Sequence, residues 1–92
     1  MALTAEQVQA VAEVIGSAST LHDAAHRWRE RYPDVRTMQL SAADMCGETP
    51  ALRVGARAVY FVRTAGMCLS ITPHADEANA LILTEDGGLY GA

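Results

Sequence analysis

The side chains most apt to hold a metal ion or act as a nucleophile are His22, His26, His74, Cys46 and Cys68. His22 and His26 stand at i, i+4, the spacing at which two imidazoles on one helix can meet a single ion. Asp23-Ala24-Ala25 lies between them, so the glutamate of an H-E-x-x-H motif is missing. The plainer role for the two is solvated or capping. Cys46 and Cys68 lack C-x-x-C spacing, and the zinc-ribbon and thioredoxin-like readings both fail on it. A Cys68–His74 dyad would have no visible orienting group or oxyanion loop. Asp76-Glu77 and Glu85-Asp86 are adjacent pairs, which a helix turns away from one another. Gly87-Gly88 has no helix after it to complete a phosphate loop. The sequence therefore predicts no catalytic centre, no metal centre and no cofactor.

Two helices should position His22 and His26. Thr4-Ala5-Glu6-Gln7 has the form of a capping box, and Val8, Val11, Ala12 and Ile15 follow at helical spacing, so residues 5–15 read as an amphipathic helix stopped by Gly16. Thr20-Leu21-His22-Asp23 opens a second helix, in which Leu21, Ala25, Trp28 and Tyr32 form one stripe and Pro33 ends the run. The short linker makes an αα-hairpin.

After Pro33 the apolar period falls to about two. Residues 35–40 read as a strand and Ser41 to Pro50 as a loop. Residues 58–63 and 67–72 flank Thr64-Ala65-Gly66 as a tight hairpin. Thr72-Pro73 is a helix-start signal for one or two turns from His74 to Asn79, and residues 80–84 form a last strand. Residues 86–92 read as a flexible tail. The expected fold is α+β: one domain over residues 1–92, with an N-terminal helical hairpin packed on a small antiparallel sheet of about four strands. Leu21, Trp28, Val59, Phe61, Leu69, Ile71, Leu81 and Leu83 should share one core. Leu69 and Ile71 would then point inward, and Cys68 outward, as packing or a quiet thiol or as a contact residue.

Ninety-two residues suffice for one self-sufficient core. The formal charge of −4 disfavours nucleic acid, whose binding draws on phosphate neutralisation. All seven basic residues are arginines between Arg27 and Arg63. They read as solvated charge, or as a patch able to grip a carboxylate or phosphate. The N-terminus lacks a secretory signal and no apolar run reaches the ~18 residues of a membrane span, so the expectation is a cytoplasmic protein with reduced, unlinked cysteines.

The stretch "YFVRTAGMCLSITPHADEANALILTE" resembles the C-terminal half of a family of small, uncharacterised proteobacterial proteins associated with nitrogen-fixation gene clusters. The matching positions are Tyr60, Val62, Gly66, Cys68, Leu69, Ser70, Thr72, Glu77, Ala78, Leu81, Leu83 and Glu85. "WRERYPDVRTM" and Asp44 extend the likeness weakly upstream. Met67 replaces the histidine that precedes the cysteine in that pattern, and Asn79-Ala80 replaces a Thr-Gly pair. A His-Cys pair therefore does not carry over, and the resemblance implies a biological setting rather than a reaction.

The long polar loop is the place where function is expected, because loops on rigid sheets carry it disproportionately. Asp44, Met45 and Cys46, with Cys68 and His74 as neighbours, form the expected partner-facing patch of a non-enzymatic accessory protein that contacts another protein. A mobile connector is the bland alternative for that loop. The alternative function is a small metal- or thiol-binding carrier using His22, His26 or Cys68.

Overall fold

The computed structural model describes residues 3–45 and 47–85. Two helices, α1 (Ala5–Ser17) and α2 (Leu21–Arg31), precede five strands: β1 (Arg36–Gln39), β2 (Leu52–Val54), β3 (Arg57–Ala65), β4 (Cys68–Thr72) and β5 (Ala80–Glu85). Short 3₁₀ helices occupy Ala42–Met45 and Ala75–Glu77. The α+β architecture, with a helical hairpin on one sheet, is the one expected. The sheet has one strand more than the periodicity showed, and one of its pairs is parallel.

Both caps work as the sequence predicts. Thr4 Oγ1 accepts from Gln7 N at 3.1 Å while Thr4 N donates to Gln7 Oε1 at 2.9 Å, a complete capping box. Thr20 Oγ1 accepts from Asp23 N at 3.0 Å. Gly16 does not stop α1, which runs on through Ser17. A Cβ on Gly16 would sit 3.1 Å from Val54 Cγ1, so this glycine lets the helix approach β2 closely. Trp28 is buried at 1% exposure, stacks obliquely on Tyr32 with ring centroids 4.6 Å apart, and donates Nε1–H to Val35 O.

The sheet order is β1-β5-β3-β2, with β4 also on β3. β2 pairs with residues 57–59 of β3 and β4 with residues 61–65, while β5 pairs with residues 57–62. Since Ala51 N donates to Val59 O and Asn79 N to Val62 O, alternate residues of β3 address opposite edges. β2 and β4 therefore follow one another along the same edge of β3. β2 escaped the sequence reading because it is only three residues long. Its signal is the pair Val54↔Arg57 around Gly55-Ala56. The hairpin from β3 to β4 turns the same way at Gly66-Met67, one residue later than expected, with Gly66 at φ +61° in the first central position.

β1 and β5 run parallel, with Arg36 opposite Ala80 and Gln39 opposite Leu83. The connection from β1 to β2 must then cross the whole sheet. The helices occupy one face, where Val59, Phe61, Leu81 and Leu83 join Trp28, Val11 and Ile15. The crossover occupies the other, where Met45 joins Ala58, Tyr60, Val62, Ala80 and Ile82. β3 is consequently buried on both sides from Ala58 to Val62. Leu69 and Ile71 are cross-strand partners of Thr64 and Val62. They therefore lie on the crossover face, not in the helix-side core: Ile71 packs on the second cluster and Leu69 is 49% exposed. The helical turn expected between His74 and Asn79 is present as the 3₁₀ turn Ala75–Glu77, with His74 rather than Thr72 at its N-cap position. Thr72 Oγ1 accepts from His74 N and donates to Glu77 Oε1, and the 3₁₀ turn begins at Ala75. The expected tail, 86–92, lies outside the described residues.

One side chain ties the two layers together. Arg57 donates from Nη1 to Ile15 O at 2.8 Å and Ala18 O at 2.6 Å, from Nη2 to Ser19 O at 3.1 Å, and from Nε to Glu85 Oε2 at 2.9 Å. Its side chain is 13% exposed. The guanidinium satisfies carbonyls at the C-terminal end of α1 that the helix itself cannot.

Two stability predictions follow from this packing. Trp28→Ala should destabilise the protein by about 3–5 kcal/mol, as expected for emptying a buried aromatic site. Arg57→Ala should cost about 1–3 kcal/mol by orphaning the part-buried carbonyls of Ile15 and Ala18, and Arg57→Lys should restore only part of it, since an ammonium cannot span the fork. Urea melts followed by tryptophan fluorescence for the arginine series, and by far-UV circular dichroism for Trp28→Ala, measure all three. An unchanged midpoint for either alanine variant would contradict the packing described.

Candidate functional site

The β3–β4 hairpin outruns its neighbours. β5 begins opposite Val62, yet β3 continues to Ala65, and residues 63–70 are all exposed. The overhang needs something to satisfy the β3 edge that β5 has left. Asn79, in the bend before β5, supplies it: its Oδ1 accepts from Thr64 N at 2.9 Å and from Thr64 Oγ1 at 3.1 Å, and its Nδ2 donates to Thr64 O at 3.2 Å. A side-chain amide thus takes the place of one more β5 residue and ends the ladder on that side.

An open cleft of about 950 Å³ lies under the overhang, lined by Arg29 and Arg36 with Asp34, Thr64, Cys68 and Asn79. Arg29 comes from the last turn of α2 and Arg36 from the first residue of β1, two elements that pack together. Among the described residues neither guanidinium has an acidic partner. Met67 stands fully exposed at the turn, at 103% relative exposure, and Leu69 is half exposed beside it. The site is a rim of apolar and sulfur-bearing side chains over a cationic floor.

The residues expected to form one partner-facing patch are distributed over the molecule. Asp44 is exposed on the crossover. Met45, next to it, is buried at 6% exposure against the sheet. Cys46 lies outside the described residues. Cys68 is an exposed free thiol at the hairpin tip. His74 is exposed just beyond the other end of β4, so about 15–20 Å of strand separates it from Cys68. The end of the crossover, Gly47 to Ala51, does come near Ile71 and Pro73 across a second, smaller cleft, which brings Glu48 into the neighbourhood of His74. A Cys68–His74 dyad has no geometry to support it.

His22 and His26 are both exposed on α2, and His26 Nε2 lies 3.5 Å from Glu30 Oε2. Among the described residues no three His, Cys, Asp or Glu side chains are grouped to hold a metal ion. No helix among them is long and apolar enough to cross a membrane. The sequence reading pointed to the arginines only as a region and missed Met67, Leu69 and Asn79. Their signal is topological: Met67 sits in a two-residue turn, and Leu69 takes its face from the register of that turn.

The chain belongs to a family of unknown function (DUF6129), whose pattern matches residues 10–86. No curated protein and no solved structure matches it.

The placement of Met45 reverses one expectation about the crossover. Met45→Ser should lower stability by about 2–4 kcal/mol, whereas Asp44→Ser should stay within about 0.5 kcal/mol. Chemical denaturation of the two single variants separates them. Equal midpoints would show that Met45 does not pack on the sheet.

Proposed function

We propose that this protein is a non-enzymatic accessory protein of the cytoplasm that works by contacting another protein through the overhanging β3–β4 hairpin, in the nitrogen-fixation setting that the sequence resemblance implies. The observation supporting this reading is the exposure of Met67 and Leu69 at the tip of a braced hairpin, over a cleft whose two arginines have no acidic partner among the described residues. Methionine adapts its shape to a partner surface, and arginine supplies charge-assisted hydrogen bonds at its rim. Asn79 and the β3 register hold the hairpin in place, so a partner need not pay the entropy of ordering it. The length of β4 separates Cys68 from His74, which favours contact over catalysis for its thiol. Asp44, Glu48 and His74, all exposed, are further places for the same partner to touch.

The reading is tested by affinity capture from cells grown under nitrogen-fixing and nitrogen-replete conditions. The wild-type chain should retain a stoichiometric protein, and a Met67→Ser, Leu69→Ser double variant with an unchanged melting midpoint should lose it. A partner held equally well by both chains would move the contact elsewhere. Absence of any stoichiometric partner under both conditions would overturn the reading.

A further inference from the structure

Among the described residues β4 is an open edge with no strand beyond it, approached only at its Ile71 end by Gly47 to Ala51 across the smaller cleft. β1 and β2 each carry an arginine, and β2 is only three residues long. β4 reads Cys68-Leu69-Ser70-Ile71-Thr72: five residues with no charge and no proline. Edge strands of that composition invite another strand unless something blunts them.

The register fixes which groups are on offer. Val59 addresses the β2 side and Val62 the β5 side, so Phe61, Arg63 and Ala65 bond towards β4, to Thr72, Ser70 and Cys68. The backbone N–H and C=O of Leu69 and Ile71 therefore point away from β3. Among the described residues no strand pairs with them. An incoming strand would put alternate side chains beside Leu69 and Ile71 on the crossover face, where both are apolar. Between them, its residue opposite Ser70 would lie on the helix side of the sheet. Arg63 is the cross-strand neighbour of Ser70 on that face, two strand spacings or about 10 Å from the incoming Cα. It is exposed and has no acidic partner among the described residues. Residues 51–75 contain three arginines and neither aspartate nor glutamate. Arg57 is paired with Glu85, and Arg63 is the arginine that the overhang itself carries.

We propose that the free edge of β4 accepts an extended segment of a partner protein that alternates apolar, acidic, apolar, with main-chain bonds to Leu69 and Ile71 and the acidic side chain drawn to Arg63. The inference rests on the partner-contact reading above and names the partner's chemistry. Main-chain pairing supplies affinity in this mode, and the side chains facing alternate positions supply selectivity.

The probes are two synthetic peptides, Thr-Val-Glu-Val-Thr and Thr-Val-Lys-Val-Thr with blocked ends, titrated into the isotope-labelled full chain and followed by amide NMR at low salt. The Leu69 and Ile71 amides should shift and gain exchange protection with the Glu peptide, which should bind roughly threefold to fivefold more tightly than the Lys peptide, as one exposed ion pair allows. Arg63→Glu should invert that preference. Leu69→Pro, which removes an outward-pointing donor and no bond to β3, should abolish binding. Should that variant fail to fold, the charge reversal still decides the matter. Shifts confined to Arg29 and Arg36, equal binding of both peptides, or no binding would each overturn the proposal. So would Leu69 and Ile71 amides already protected in a manner that scales with protein concentration, which would assign the edge to a second copy of this chain. A captured partner that survives Leu69→Pro would sink this edge and leave the accessory role standing. Peptide docking in the stated register without any captured partner would do the reverse.

Discussion

A single guanidinium holds the layers of this protein in register. The helical hairpin covers one face of the sheet through apolar contacts, which are non-directional and would tolerate sliding. Arg57 removes that freedom. Its bonds to Ile15 O, Ala18 O and Ser19 O reach the end of α1 and the linker to α2, and its bond to Glu85 reaches the end of β5. A planar fork with five donors suits that task, because several acceptors are met in fixed directions by one side chain. Four polar groups are satisfied together, two of them, Ile15 O and Ala18 O, in part-buried contacts. Among the described residues no buried side-chain nitrogen or oxygen is left without a partner.

With α1 and α2 fixed on one face, the other face of β3 and β5 still exposes Ala58, Tyr60, Val62, Ala80 and Ile82, and something else must cover it. The parallel pairing of β1 with β5 provides that cover as a by-product. β1 sits at one edge and β2 at the other, so the chain between them has to pass over the bare face. Met45 is the anchor of that passage, on a 3₁₀ turn tied by Asp44 N to Ser41 O and Glu48 N to Met45 O. Ser41, Ala43, Asp44, Glu48 and Thr49 face solvent, which accounts for the polar sequence of the segment, and Met45 anchors it on the sheet.

The helices, their caps and the β3–β4 hairpin were legible because each rests on a local signal: a capping side chain, a 3.6-residue stripe, a two-residue turn. The core was legible in the same measure. Trp28, Val59, Phe61, Leu81 and Leu83 meet on the helix side as expected. Leu69 and Ile71 do not, and periodicity alone could not have placed them. Alternation says that they share a face with each other, but which face depends on the partner register, Leu69 with Thr64 and Ile71 with Val62. β1 and β5 look identical in sequence whether they pair parallel or antiparallel. The crossover, and with it the burial of Met45, follows from that one non-local choice. The cleft was illegible for a related reason: Arg29, Arg36 and Asn79 come from α2, β1 and the bend before β5, and they line one cleft through the tertiary arrangement alone.

Arg57 and Arg63 show how far position outweighs residue type. Both lie on β3, six residues apart, and strand alternation puts them on the same, helix-facing side of the sheet. At the Arg57 end the end of α1 and the linker to α2 reach the strand, and their carbonyls and Glu85 take four of the guanidinium's five donors. At the Arg63 end the strand has run past α1, α2 and β5 alike, and the same side chain faces water beside an uncharged strand edge. Lengthening β3 beyond its supports costs one backbone pairing, at Thr64, which the Asn79 amide replaces on the β5 side. Among the described residues no strand pairs with the outer edge of β4. The asymmetry is what leaves one edge of the hairpin closed and the other, with a cation next to it, open to a partner.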